Sequence, residues 1–478
     1  MNEAMALAIA LPLLGGLVAV VCPRRGHFIG NLTLLLNAAA AVWLLSLVMQ
    51  HGAASQLLGG WQAGLAISLH ADALSSSLLL LTALVGLAIS VYATRYFHSS
   101  QDATRFWPLW LLLVAALNGL FLSADLFNLY VTLELLGLSA VALTALGGKR
   151  ESIKAALRYL MVGLLGSMGY LAGVAILYTA FGTLDMQQIG ARINVNPASE
   201  VALVLMTAGL LLKTALFPLH FWLPAAHSNA PAPVSAALSA LVVKAGFYLV
   251  LRLWTEVFPE AISPQGAVLI GALGCAAILW GSWQALQAER LKLLAAYSTV
   301  AQLGYLFIGL ALLVSVEEGV TRDILFGAVV LMALTHGFAK SSLFLAIGVV
   351  QQHAGHDRID QLDGTAQRLP ATTFAIALAG VALIGLPPSG AFLGKWHLFS
   401  TSMEIGQWLL VAVMGIGSLL AAAYVFRVLG HAFGNAAFAS RPVNVAAEEW
   451  PALALGLIAT LLLGLGGAWI WQFLEVVA

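Results

Sequence analysis

"LLKTALFPLHFW", residues 211–222, is the stretch on which the reading of this chain turns. It sets Lys213 inside a long apolar run, then places Pro218 five residues later. A proline lacks the amide hydrogen that a continuing helix needs, and its ring crowds the preceding turn. Here those features would leave the carbonyl of Thr214 open beside the lysine. Both are costly in hydrocarbon, so their coincidence asks for a use.

The rest of the chain makes that hydrocarbon setting explicit. Its 478 residues are 61% hydrophobic and only 9% charged, with a mean hydropathy of +0.94. About a quarter of an average soluble chain is charged. This composition defines an integral membrane protein lying in the lipid bilayer. The formal net charge of zero supplies neither a basic face for nucleic acid nor an acidic tail. Cys22 and Cys275 both sit in apolar runs, without the spacing of an iron–sulfur, haem or zinc site. No cofactor, metal or redox chemistry is therefore expected in the chain itself. The opening "MNEAMALAIALPLLGGLVAVVC" lacks a basic leader and reads as a retained first span, not as a cleaved signal.

A membrane-crossing helix needs about 20 mostly apolar residues. Such windows fall at 4–22, 28–50, 73–94, 107–123, 126–146, 156–180, 200–222, 233–254, 266–286, 293–314, 323–350, 372–400, 406–428 and 450–473. The fold class is thus all-α and polytopic, with about fourteen transmembrane helices in a single membrane domain, 1–478. Basic residues collect in cytoplasmic loops. Loops after odd-numbered spans hold fourteen Lys and Arg, from Arg24 to Arg441, against Arg192, Arg252 and Arg322 on the other side. Both termini are accordingly expected on the non-cytoplasmic face of a bacterial-type inner membrane.

The four remaining basic residues, Lys213, Lys244, Lys340 and Lys395, lie within spans, and Glu134 is the acidic residue found comparably deep. A charge at the bilayer centre costs about 2.5–3.5 kcal/mol on insertion scales. From the helical rise, Glu134, Lys213 and Lys244 are roughly 12, 18 and 15 Å in from their helix ends. His336 and Lys340, four apart, share one helix face, and Lys340 is near enough to the cytoplasmic end to snorkel in part. Full ionisation would leave an excess of three positive charges, and both desolvation and like-charge repulsion oppose that. Some of these lysines are expected to spend time neutral, as carriers in a proton relay, with Glu134 holding Lys213. A single buried lysine has a plainer use, as a structural cation held by backbone carbonyls. Five ionisable residues together fit a relay better. His220, His227 and His397 lie near interfaces or breaks and read as structural.

A second interruption, Pro387, Pro388 and Gly390 in "GLPPSGAFLGKW", falls in span 12. Spans 7 and 12 are five apart and so point in opposite directions. Matching broken helices in oppositely oriented bundles are the mark of an inverted repeat with the ion path at the breaks. The expected division is 1–100 for helices 1–3, 107–255 for a first repeat of helices 4–8, 266–430 for a second of helices 9–13, and 450–474 for helix 14.

On these residues the sequence resembles the antiporter-like membrane subunits shared by respiratory complex I, membrane-bound hydrogenases and Mrp-type Na+/H+ antiporters. The likeness rests on "KTALFPLHFWLPAAHSNAPAPVSAALSALVVKAGFYLVLR", "ERLKLLAAYSTVAQLGY", "THGFAKSSLFL" and "GLPPSGAFLGKW". The resemblance implies a proton path running Glu134, Lys213, Lys244, His336, Lys340, Lys395. It also implies partner membrane subunits, paralogous ones among them, and transport of H+ with or without exchange for Na+. The chain resembles most a D-type Mrp subunit; the alternative is a proton-pumping M/N-type subunit of an NADH:quinone oxidoreductase or a hydrogenase. It departs from the family at Ala225, where an acidic residue is frequent, and at Lys395, where some complex I subunits carry glutamate. Two other classes, a quinone-reducing subunit and a solute carrier acting alone, find no motif here.

Overall fold

The computed structural model describes residues 1–59, 66–97, 100–434 and 446–477; Arg441, counted above among the loop residues, lies outside them. Membrane-length helices dominate it. They are α1 (Asn2–Val21), α2 (Gly26–His51), α3 (Ala73–Tyr96), α4 (Ser100–Leu122), α5 (Leu126–Thr144), α6 (Arg150–Phe181) and α7 (Pro197–Thr214). After these come α8 (Ala232–Val257), α9 (Pro264–Gln287), α10 (Leu291–Leu313), α11 (Val320–Ala354), α13 (Trp408–Ala432) and α14 (Ala447–Leu465). Among the described residues thirteen helices are long and apolar enough to cross a membrane. The fourteenth crossing is α12, split into α12a (Pro370–Ile384) and α12b (Gly390–Glu404). A fifteen-residue half-helix cannot span about 30 Å of hydrocarbon alone.

Local chemistry starts these helices where they start. Asp72 and Ser75 form a reciprocal capping box on α3, and Asn196 with Ser199 does the same for α7, whose first residue is Pro197. Each satisfies backbone amides that the first turn leaves open. Asp125, Ser263 and Ser389 each accept a single first-turn amide at the starts of α5, α9 and α12b. Among the described residues the paired strands are a short antiparallel hairpin between α2 and α3, with β1 (Ala54–Leu58) paired to β2 (Ile67–Ala71). The Ala124 amide donates to Ser68 of β2, and the Met186 amide to Ala124, so the hairpin joins the chain entering α5 and the segment after α6 in one surface layer.

Burial separates inner helices from outer ones. The most apolar stretch of α8 is wholly buried and those of α10 and α11 are 89% buried, whereas the figure for α13 is 33%. Polar groups on α8, α10 and α11 therefore face protein, and α8 and α11 carry Lys244, His336 and Lys340.

Both breaks lie where the prolines point, but each begins earlier than the proline. α7 stops at Thr214 because Ala215 turns left-handed at φ 59°; α12a stops at Ile384 because Gly385 does so at φ 84°. Phe217–Pro218 and Pro387–Pro388 are both cis. As expected, no backbone amide among the described residues donates to the Thr214 carbonyl. Earlier in that turn, the Leu212 carbonyl accepts the Ala215 amide at 3.3 Å and the Trp222 indole N–H at 2.9 Å. The second break is packed from the side by α14: a Cβ on Gly464 would stand 1.3 Å from the Pro388 carbonyl oxygen, so only glycine fits. A Cβ on Gly385 would meet the Lys395 side chain at 2.7 Å, on top of the left-handed backbone. Gly385→Val is expected to cost about 1–3 kcal/mol, read as a lower melting temperature of the purified protein. An unchanged melting temperature would contradict a fixed turn there.

Candidate functional site

Glu134 on α5 and Lys213 in the last turn of α7 meet with Lys213 Nζ 3.0 Å from Glu134 Oε1. The same carboxylate oxygen accepts a close hydrogen bond from Ser167 on α6. Ser167 escapes a reading of the sequence because a serine in a span is an ordinary packing residue until its partner is seen. A cavity opens beside the pair, lined by Glu134, Gly137, Tyr159, Lys213, Val242 and Gly246. The Tyr159 ring stacks at 4.2 Å on Trp222, the residue that closes the first break. Ser167→Ala is expected to lower transport roughly tenfold, the scale of one hydrogen bond to a charged group. Transport at the wild-type rate would reduce Ser167 to a space filler.

The other lysines have a different chemistry around them. Lys244, 1% exposed, donates to the Ser239 carbonyl at 2.6 Å. That carbonyl belongs to a π-helical turn, Leu238–Val242, which interrupts the α geometry of α8 just before the lysine. Such turns widen a helix locally and are frequent at functional sites. The Ser239 hydroxyl pairs with Thr299 of α10 at 2.8 Å. Lys340 on α11 is fully buried and donates to the Ala295 carbonyl at 2.9 Å and to the Ser298 hydroxyl, both on α10. It points into the bundle, which rules out snorkelling to the interface.

Lys395 sits on α12b but reaches back across the break. Its Nζ donates to the carbonyls of Leu383 and Ile384 at 3.2 and 3.0 Å and to Ser418 Oγ at 3.3 Å, and lies 4.0 Å from the centre of the Tyr305 ring. These carbonyls end α12a, where the helix dipole is negative. The Leu383 carbonyl also accepts from Gln302 Nε2 at 2.8 Å. A freed helix end thus serves as the cation's acceptor, a use of the break that the proline positions alone do not disclose.

His336 is buried between these groups, in the field of Lys244, Lys340 and Lys395, and neither ring nitrogen has a hydrogen-bond partner among the described residues. His227, read from sequence as structural, has the same character. It is fully buried, stacks on Phe344 at 4.7 Å, and lies in the field of Lys340, Lys292 and Lys244. Lys292, counted with the loops, is buried at the start of α10 and donates to the Ala230 carbonyl at 2.8 Å. Its position at a span boundary, next to Arg290, gives it the look of a surface charge.

The arrangement therefore has two parts. Glu134 and Lys213 form an ion pair beside the first break. Lys244, His336, Lys340 and Lys395 form a second group without a carboxylate within 4.0 Å of any lysine among the described residues. Neutral acceptors hold a lysine whether or not it carries its proton, since the neutral amine keeps two N–H donors.

A bundle with two broken helices and a buried row of ionisable groups defines a polytopic ion-translocating subunit. Residues 123–421, more than half of the chain, match the family described as NADH:quinone oxidoreductase/Mrp antiporter, TM, and the chain belongs to it. It is 38% identical over 466 residues to the NADH-quinone oxidoreductase subunit N of Desulforudis audaxviator, covering 94% of this chain and 91% of that one. It is 28% identical to the D-type subunit of the Na(+)/H(+) antiporter of Bacillus subtilis, covering 100% of this chain and 97% of the relative. Among solved structures, a chain of the Mrp complex from Dietzia sp. DQ12-45-1b superposes with a TM-score of 0.90 at 26% identity, covering 100% and 97% of the two chains.

Proposed function

We infer that this chain is a proton-translocating, antiporter-like subunit of a multisubunit membrane complex. Protons pass along Glu134, Lys213, Lys244, His336, Lys340 and Lys395. The observation that carries this reading is the unbalanced charge: Lys244, Lys340 and Lys395 are buried, all three act on His336, and they are held by carbonyls and hydroxyls. Fixed structural cations are better served by carboxylates. The two breaks, each opened by a left-handed residue, support an inverted repeat of helices 4–8 and 9–13. The loop charges support both termini on the outer face of a bacterial inner membrane.

Two settings suit such a subunit. In a D-type antiporter assembly the proton flux is exchanged for Na+; in a complex I-like or hydrogenase assembly, partner subunits supply redox energy. Paralogous antiporter-like subunits are the expected neighbours in either. The test is proton movement by the assembled complex in inverted vesicles, followed with a pH-sensitive dye, in the wild type and in Glu134 and Lys213 variants. Equal rates would overturn the relay. Adding and omitting Na+ in the same assay separates the two settings.

A further inference from the structure

A buried charge cluster that the relay does not use lies on the helix that carries Lys244. Lys244, Tyr248, Arg252 and Glu256 follow at steps of four along α8, so they share one face. Sequence counting puts Arg252 in an outer loop; it is in fact 7% exposed within the helix. Its guanidinium donates to Asp72 Oδ1 at 2.7 Å, to Glu256 by a close ion pair, and from Nε to the Tyr248 hydroxyl at 3.1 Å. The Tyr248 hydroxyl donates in turn to the Phe121 carbonyl at 2.8 Å. Asp72 caps α3, and His70 of β2 lies 3.9 Å from its other oxygen. Burial works against the charge on Asp72, yet Arg252 and the Ser75 amide hold its carboxyl below the ordinary carboxylate value.

Beneath this cluster is a small apolar cavity, lined by Lys244, Phe247, Tyr248 and Leu251 of α8 and by Val330 and Ala333 of α11. It therefore runs from the lysine to Tyr248, whose hydroxyl accepts from Arg252. The two carboxylates are unequal: the Asp72 side chain is 15% exposed and that of Glu256 41%. Asp72 draws the guanidinium inward, and Glu256 draws it towards solvent. A five-donor fork is able to keep both or to favour one. A proton on Lys244, about 12 Å further along the helix, repels the guanidinium and biases it outward.

We propose that Asp72, Arg252 and Glu256 form a latch over a second port, through which Lys244 exchanges protons with the membrane face that carries the β1–β2 hairpin. With Arg252 on Asp72 the port is shut. With Arg252 on Glu256 the cavity opens to water. Arg252 is a positioning residue in this scheme, and the transferred proton travels between Lys244 and solvent. The part played by Lys244 rests on the relay proposed above, whereas the port itself is tested without measuring transport.

Val330→Cys places a near-isosteric thiol in the cavity wall, in a background carrying Cys22→Ala and Cys275→Ala. The assembled complex, in vesicles of each orientation, is treated with a membrane-impermeant methanethiosulfonate. Slow labelling is expected from the hairpin face alone, at least tenfold faster once Asp72→Asn removes the inner half of the latch. Arg252→Lys, which keeps the charge but not the fork, covers the case in which Asp72→Asn fails to assemble, and should speed labelling at least threefold. Labelling from the opposite face, or rates that neither variant raises, would overturn the port. Failure of the relay appears separately, as normal transport by the Glu134 and Lys213 variants.

Discussion

Lys213→Ala is expected to lower proton transport by the assembled complex at least about a hundredfold, the scale of loss when an obligate proton-transfer group is removed. The fold should survive it. Glu134 keeps its bond from Ser167, so the carboxylate is not left without a partner in the cavity. Glu134→Gln should be as damaging, because it preserves the shape of the pair and removes its charge. The double variant Glu134→Gln/Lys213→Ala should be no worse than either single change, since residues that act as one unit are not additive. Vesicle transport alongside the amount of assembled complex on a native gel checks all three. A double variant whose loss is the product of the two singles would show that Glu134 and Lys213 act independently and would sink the paired role.

Lys340→Met separates transport from stability more sharply. Lys340 is fully buried and its partners are a carbonyl and a hydroxyl, with no carboxylate left behind when it goes. Replacing a buried ion by an apolar side chain of similar volume is often neutral or stabilising by about 1–4 kcal/mol. The Met variant should thus melt no lower than wild type, yet lose transport by about two orders of magnitude if the proton must pass this position. A variant that melts well below wild type and still transports would identify Lys340 as a structural cation and cut the path between Lys244 and Lys395.

How much of this was legible in the sequence follows from what hydropathy measures. Spans are set by runs of apolar residues against bilayer thickness, so the thirteen long helices and the interrupted twelfth were visible in outline. Lys213, Lys244, Lys340 and Lys395 stood out because charges there are costly. The acceptors did not, because a backbone carbonyl has no letter of its own: nothing in "GVALIGLPPSG" says that Leu383 and Ile384 will turn their oxygens on a lysine eleven and more residues later. Residues at span boundaries are misjudged for a related reason. Arg252 and Lys292 both fall where a window ends, and a window cannot say whether the next turn is in water or under a neighbouring helix.

The π turn at Leu238–Val242 fixes the angular phase of everything beyond it in α8. One residue of an α-helix advances about 100° around its axis, and a π turn accommodates one residue more than the regular count. Losing a single residue there would rotate Lys244, Tyr248 and Arg252 together, away from Ser239, Phe121 and Asp72 at one stroke. The heading of Val243–Arg252 is therefore stored in this turn, and a second π turn, Leu253–Val257, follows it. Length changes in this turn are far less tolerable than substitutions, since a substitution alters one contact and a deletion re-aims the entire face.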